Sequence, residues 1–465
     1  MTVAEATPDF EAHDRRSADR AFLGHPKGLG YLAFTEAFER FSYYSMQSLL
    51  VLYMVKELLL PGHVENIAGF EFFRRLYGGI DGQPLASAIF GTYTALVYLT
   101  PIFGGLLADR VLGRRRTVIL GAVTMAIGHF LMAFETTFLI ALLCLIVGNG
   151  CFKGNIASQV GALYGPEDLR RASAFQIFYI AINAGVISAP LIAGTLGEDV
   201  GWHWGFGAAG VGMLIGLGIY LAGQRHLPKE EEIRRQGAAE RPKLERKDWG
   251  AVIGLILLIP VLAVAILTNQ QIFNVYLVWG DQHFDLEFFG RRLPTTWLIT
   301  LDSIVSVSFL AIVALFWSWW GRRHWEPDEL GKILIGSAFT TIGGLCLVAA
   351  AAFQEPGGKI GLFWPVAFHM FNSLGFAHIL PVSLALFAKV APRAINATVI
   401  GLYYLAFFLG NSIVGWIGGF YETMPTTSFW LLHVATAAGS GLAFLLFRIF
   451  LGRQLREAPP APLPD

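Results

Sequence analysis

Glu36-Ala37-Phe38-Glu39-Arg40-Phe41-Ser42-Tyr43-Tyr44 lies inside an otherwise apolar run at about 28–60. A charged side chain at mid-membrane costs roughly 2.5–3.5 kcal/mol on insertion scales, so three within five residues must face a partner or water. Glu36 and Arg40 are four apart and Glu36 and Glu39 three apart, which puts all three on one helix face. Tyr43 and Tyr44 continue near that face one turn on. A structural ion pair needs one acid for one arginine, and here there are two. The stretch predicts a helix with a charged, aromatic-edged stripe turned toward a wet interior.

The rest of the chain supports a membrane reading. Of 465 residues 54% are hydrophobic and 15% charged, and the apolar residues come in blocks of membrane-crossing length. Twelve such spans are expected, the first at about 28–60 and the last at about 428–451, with Pro101, Pro190, Pro260 and Pro381 kinking four of them. The first 27 residues have no apolar core, so no cleavable signal is expected. Lys and Arg sort by side, 26 on one set of links against 6 on the other with two inside spans. That asymmetry predicts both termini in the cytoplasm. Cys144, Cys151 and Cys346 all fall in spans, and no disulfide is expected. Gly150-Cys151-Phe152-Lys153-Gly154 lacks the spacing of a phosphate loop, which argues against ATP hydrolysis. Nothing suggests a metal cluster, a nucleophile triad, a cofactor or nucleic-acid binding. The expected organisation is a cytoplasmic segment 1–27, a six-helix bundle 28–224, a cytoplasmic linker 225–248, a second six-helix bundle 249–451 and a disordered tail 452–465. The outer link 61–83 is long enough for a short amphipathic helix.

After the second span, Gly104-Gly105-Leu106-Leu107-Ala108-Asp109-Arg110-Val111-Leu112-Gly113-Arg114-Arg115-Arg116 resembles the loop motif of the major facilitator superfamily. The opening stretch matches the ExxERFxYY motif of its proton-dependent oligopeptide transporter (POT) family at all seven specified positions. Gly148-Asn149-Gly150-Cys151-Phe152-Lys153-Gly154-Asn155-Ile156 is similar to that family's fourth-helix segment. Phe178-Tyr179 with Ile182-Asn183 and Gly185 is similar to its FYxxINxG signature. The resemblance implies an all-α membrane protein of the major facilitator fold, with 12 transmembrane helices in two six-helix halves. The linker is too short for the two extra helices that some members insert.

The same resemblance implies a division of labour. Glu36 would be a protonatable acid, and Glu39 and Lys153 a switchable pair. Arg40 and Lys153 would receive a substrate carboxylate, with Tyr43, Tyr44 and Tyr98 lining the pocket and Asn183 bonding the substrate backbone. Asp109, Arg110 and Arg114 would latch the inner gate. A guanidinium suits bidentate carboxylate recognition, and a buried lysine stays charged only beside an acid.

The second half departs from the family pattern. Asn269-Gln270-Gln271 stands where the family has an acid before a Gln. Ser373-Leu374-Gly375-Phe376 stands where it has a Glu for the peptide amino group. Thr300-Leu301-Asp302-Ser303 gains an acid where it has Asn, so Asp302 is expected to serve as amino-group partner, proton carrier or both. Tyr403 takes the place of an eleventh-helix Trp. Of the span histidines, His129, His369 and His433 are read as structural, and His378 draws notice beside Phe376. Trp317, Trp319 and Trp320 read as an interfacial belt. The function implied is not enzymatic. It is a monomeric proton-coupled symporter of the plasma (inner) membrane, importing di- and tripeptides by alternating access. The runner-up is a proton-coupled carrier of another small carboxylate or anion. A receptor or integral enzyme is the third reading, disfavoured by the lack of a catalytic constellation or signalling domain.

Overall fold

The computed structural model of the chain describes residues 19–165, 168–229, 248–392 and 395–452. Most of the expected segment 1–27, of the linker 225–248 and of the tail 452–465 lies outside these residues.

Among the described residues, nine helices are long and apolar enough to cross a membrane, and a tenth span is bent. Two further helices, α1 (Lys27–Tyr53) and α3 (Arg114–Leu131), bring the number to the twelve expected. Their lower hydropathy has a plain cause. Any membrane-length window of α1 contains Glu36, Glu39 and Arg40, and α3 opens on three arginines. The others are α2 (Gly82–Leu107), α4 (Phe138–Ala162), α5 (Arg170–Ala189), α6 (Trp202–Gly223), α7 (Trp249–Ala265), α8 (Trp297–Trp320), α9 (Glu329–Ala352), α10 (Phe363–Val390), α11 (Thr398–Gly418) and α12 (Thr426–Phe450).

Local sequence sets several helix ends and bends. Asp328 caps α9, its carboxylate accepting from the Gly331 N–H at 2.9 Å, as N-cap acids do. Pro101, Pro260 and Pro381 lie inside α2, α7 and α10, and Pro190 ends the regular part of α5. After α7 the chain bends by 45° into Leu267–Phe273 and then continues as Val275–His283. A two-stranded hairpin pairs Glu287–Phe288 with Arg291–Arg292, turning through Phe289 and Gly290 at positive φ. The outer link contains a short helix, Phe70–Leu76, as its length suggested.

The chain gathers into two compact units. The described residues within Met1–Leu49, Glu65–Gly69 and Thr100–Glu240 form one, and those within Leu50–Val64, Phe70–Leu99 and Arg241–Asp465 the other. The distal parts of α1 and α2 thus group with the later helices.

In the first unit the closest helix contacts are made by glycine. A Cβ on Gly185 of α5 would fall 2.2 Å from the Ala37 carbonyl oxygen of α1. Only a residue without a side chain lets the two backbones approach so nearly. The ends of the unit are tied by polar contacts. Arg115 donates to the Leu227 and Pro228 carbonyls, and the buried His25 ring contacts Tyr164 Oη at 2.9 Å and Ser173 Oγ at 3.3 Å. Arg170 donates to the Gly24 carbonyl and pairs with Asp168. Burial, followed by the Arg170 charge, holds the His25 imidazole below its usual pKa, with Asp168 acting the other way.

In the second unit α9 packs on α10 and α12 around Ile333, Leu330, Phe387 and Phe444, and α8 packs on α10. The outer part of α2 crosses α11 where Gly91 meets Gly415; a Cβ on Gly91 would fall 2.4 Å from the Gly415 Cα. Polar side chains flank that crossing, with Ser87 Oγ donating to Asn274 Oδ1 at 2.9 Å and Gln83 donating to the Gly418 carbonyl at 3.2 Å.

Candidate functional site

The charged stripe of α1 is folded into the core of the first unit. Glu36, Glu39 and Arg40 are 5%, 0% and 6% exposed, so their charges have to be answered by protein. Arg40 does much of this. Its Nε and Nη2 donate to both Glu39 oxygens, at 2.5 and 2.8 Å, and Nε lies 3.4 Å from Glu36 Oε1. Helical spacing explains the Glu36 contact. The Glu39 contact, between sequence neighbours, comes from the arginine folding back along its own helix. Glu39 also accepts from Asn149 Nδ2 of α4 at 3.2 Å. Lys153, one turn further along α4, is within electrostatic reach of Glu36, Glu39 and Arg40. Two acids thus face two bases, and the cluster is close to neutral when all four are ionised.

One atom stands apart. Glu36 Oε2 is buried and has no hydrogen-bond partner among the described residues. A carboxylate oxygen in that position is poorly compensated, whereas a protonated carboxyl there carries no charge.

Aromatic groups edge the cluster as the sequence suggested. The Arg40 guanidinium lies 5.1 Å from the centre of the Tyr43 ring, and Tyr43 and Tyr44 meet edge to face at 5.2 Å. Gly185 supports the same level of α1, because a Cβ there would also come within 3.1 Å of Arg40 Cβ. Asn183 is half-buried and donates to the Tyr179 carbonyl one turn back. Beside α1 an apolar recess of about 660 Å³ is lined by Phe38, Phe41, Phe130, Trp204, Val211 and Ile215. It carries no ionisable side chain and does not suit a charged substrate.

Asp109 and Arg114 meet at 3.3 Å, with the Asp109 side chain 62% exposed. Arg110 next to them is exposed. An exposed pair of this kind is worth under about 1 kcal/mol.

In the second unit Tyr98 stacks on Phe407 at 4.8 Å, and Tyr403 meets Phe407 edge to face at 6.0 Å. The Tyr403 hydroxyl is engaged with Ser383 Oγ at 3.0 Å. Phe376 is half-buried on α10. Asn269, where the family has a helix-seven acid, is half-buried; beside it Gln270 donates to Asn411 at 3.0 Å, and Gln271 is fully buried with neither amide atom paired among the described residues.

Asp302 is 7% exposed, and its Oδ1 lies 2.9 Å from His369 Nδ1. Sequence reading treated His369 as structural and passed over Tyr276, whose hydroxyl lies 2.8 Å from His369 Nε2. The signal available was Asp302 itself, the one ionisable residue of α8, whose burial calls for a partner; nothing local marks His369 or Tyr276 as that partner. Asn149, which reaches Glu39, likewise carries no local signal beyond its place in the segment 148–156. His129 contacts Ser42 Oγ at 2.6 Å and His433 the Phe429 carbonyl, roles that match the structural reading. His378 accepts from the Trp317 indole, so that tryptophan is a helix-to-helix contact more than a belt residue.

Comparison with known proteins places the chain in a family. The POT family model matches residues 115–239 and 230–431. The chain is 30% identical over 485 residues to the uncharacterized transporter YclF of Bacillus subtilis (strain 168), covering 91% of this chain and 94% of that one. It is 27% identical over 471 residues to the peptide transporter YePEPT of Yersinia enterocolitica, covering 86% and 89%. A crystal structure of a peptide transporter POT in complex with sulfate superposes with a TM-score of 0.82 at 27% identity, over 95% of this chain and 99% of that one. The chain belongs to the POT family, a family of multi-pass membrane transporters and not of enzymes.

Proposed function

We propose that this protein is a proton-coupled symporter that imports di- and tripeptides by alternating access. The observation that carries the reading is the buried Glu36–Glu39–Arg40 cluster, with one carboxylate oxygen of Glu36 lacking a hydrogen-bond partner among the described residues. While Glu39 is ionised it occupies the Arg40 fork. A substrate carboxylate can take that fork only as the acids give it up, and protonating them is the way to release it without leaving a buried charge unpaired. Substrate and proton therefore favour each other's binding, which is the thermodynamic requirement for symport.

Arg40 and Lys153 receive the carboxylate end in this reading, and Tyr43, Tyr44, Tyr98, Asn183, Phe376 and Tyr403 shape the pocket. Asp302 contributes an acid toward the amino end or the proton. Two six-helix halves, 28–224 and 249–451, rock to alternate access. Asp109, Arg110 and Arg114 latch the inner side. The excess of Lys and Arg on one set of links supports cytoplasmic termini in the inner membrane, and the unit of function is a monomer. The names of the relatives, a peptide transporter and two di-/tripeptide transporters of Lactococcus lactis, support the substrate class.

One observation favours a second reading, transport of another small carboxylate or anion. Phe376 replaces the acid that would pair with a peptide ammonium, and Asp302 is already held by His369. Uptake of a labelled dipeptide into proteoliposomes under an imposed pH gradient decides between them. Inhibition by unlabelled di- and tripeptides supports the first reading. No uptake of the labelled dipeptide, with gradient-driven uptake of a labelled non-peptide carboxylate by the same proteoliposomes, supports the second.

A further inference from the structure

The α8–α10 seam carries two polar rungs one turn apart. Asp302 meets His369 at 2.9 Å, and Ser306 meets Ser373 at 2.9 Å. The first rung extends to a third residue, because Tyr276 Oη lies 2.8 Å from His369 Nε2. His369 and Tyr276 are 0% exposed, and Asp302, with 10% of its side chain exposed, is the one member that reaches the outside of the protein.

The hydrogen-bond pattern fixes where protons sit. With Asp302 ionised and His369 neutral, each proton has an acceptor: Tyr276 Oη–H donates to His369 Nε2, and His369 Nδ1–H donates to Asp302 Oδ1. Charging His369 would oblige Nε2 to donate to the Tyr276 oxygen, and the hydroxyl proton would then need a new acceptor. Tyr276 is packed among the Phe284, Phe368 and Trp430 rings, which offer none. An added proton therefore goes to Asp302 Oδ2, the oxygen His369 does not hold.

Other ionisable groups on the helices around this relay are engaged elsewhere. His378 of α10 is bound to Trp317 and the Leu374 carbonyl, and Lys389 to Glu329 of α9. Lys332 of α9 is bound to Glu326, and Asp281 of Val275–His283 to Lys56 and Arg292. His283 contacts Gln354, His433 of α12 contacts the Phe429 carbonyl, and Arg448 pairs with Asp328. Asp302 is the sole ionisable group on α8.

We propose that Asp302 is the proton-accepting group of the second unit, and that His369 and Tyr276 are positioning residues that aim and tune its carboxylate. This inference rests on the proton-coupled reading above and adds to it the two residues that hold the acid. It offers a physical reason for Asn269 and Phe376: with an acid held ready on α8, the helices that carry acids in relatives can do without them.

The test is an infrared titration of the protein in lipid, following the carbonyl band of a protonated carboxyl, run beside proton-driven uptake. Asp302→Asn should remove one titrating band and abolish accumulation while sparing exchange. His369→Phe takes a donor from the carboxylate, so the Asp302 band should titrate about one pH unit higher, and uptake should persist to correspondingly higher pH. Tyr276→Phe frees the His369 tautomer and should shift both in the same direction by less. His369→Asn keeps an N–H near Nδ1 and should restore part of the shift. Tyr276→Phe removes a single oxygen, so the test stands even if His369→Phe does not fold. An Asp302 band with the same midpoint in all variants would reduce His369 and Tyr276 to packing and overturn the proposal, as would the lack of any Asp302-dependent band. If the parent shows no proton-driven uptake, the symport reading falls, and the infrared titration still judges the relay.

Discussion

Arg40 and Glu39 are sequence neighbours, yet Arg40 donates through two nitrogens to both oxygens of the Glu39 carboxylate, at 2.5 and 2.8 Å, with Glu39 fully buried. Removing one partner of such a pair strands a buried charge, at a cost of about 3–5 kcal/mol. Arg40→Ala should therefore lower the melting temperature in detergent markedly. Adding Glu39→Gln to Arg40→Ala should recover much of the loss. A double variant less stable than either single one would contradict the pairing.

The same fork should read the carboxyl end of a substrate. A bidentate, charge-assisted contact discriminates strongly against a neutral amide. The parent should bind a dipeptide at least about tenfold more tightly than its carboxy-amide, and a folded Arg40→Lys variant should discriminate less. Competition assays measure both ratios. Equal affinity of the parent for acid and amide would remove Arg40 from the site.

Gly185 is expected to be intolerant for a purely steric reason. A Cβ 2.2 Å from the Ala37 carbonyl oxygen forces α5 away from α1 at the level of Arg40, and overpacking of this kind costs about 1–3 kcal/mol. Gly218→Ala on α6, where a Cβ meets nothing within 4 Å, is the control and should be neutral or slightly stabilising. Thermal melts of the two variants should separate clearly.

Much of this was legible in the chain. Helical spacing alone placed Glu36, Glu39 and Arg40 on one face, and their charges explain why α1 is among the least apolar of the twelve helices. Other features depend on which helix lies beside which, and no local pattern carries that. His369 and Asp302 are 67 residues apart, and Tyr276 joins them from a third helix. The fold of Arg40 back onto Glu39 was missed for a different reason. Spacing rules score i,i+3 and i,i+4 pairs, whereas a long side chain in a dry interior takes the nearest acid it can reach.

His25 gives the first unit a pH dependence outside the membrane helices. Its folded pKa lies below the ordinary value of about 6.5, so the neutral ring is the form that fits. The stability it contributes is present above about pH 6.5 and is lost as pH falls through the lower folded pKa. The melting temperature of the parent should drop as the pH falls below about 6.5. His25→Gln should flatten that part of the curve without changing it at higher pH. An unchanged slope in the variant would assign the dependence to other groups.

Proton entry at Glu36 rests on its buried Oε2, which has no hydrogen-bond partner among the described residues. The most direct measurement compares parent and Glu36→Gln in proteoliposomes, in gradient-driven accumulation and in exchange of labelled for unlabelled dipeptide. The glutamine is permanently neutral and mimics the protonated acid. The account predicts that Glu36→Gln loses accumulation and keeps exchange. Accumulation by Glu36→Gln equal to that of the parent would contradict it.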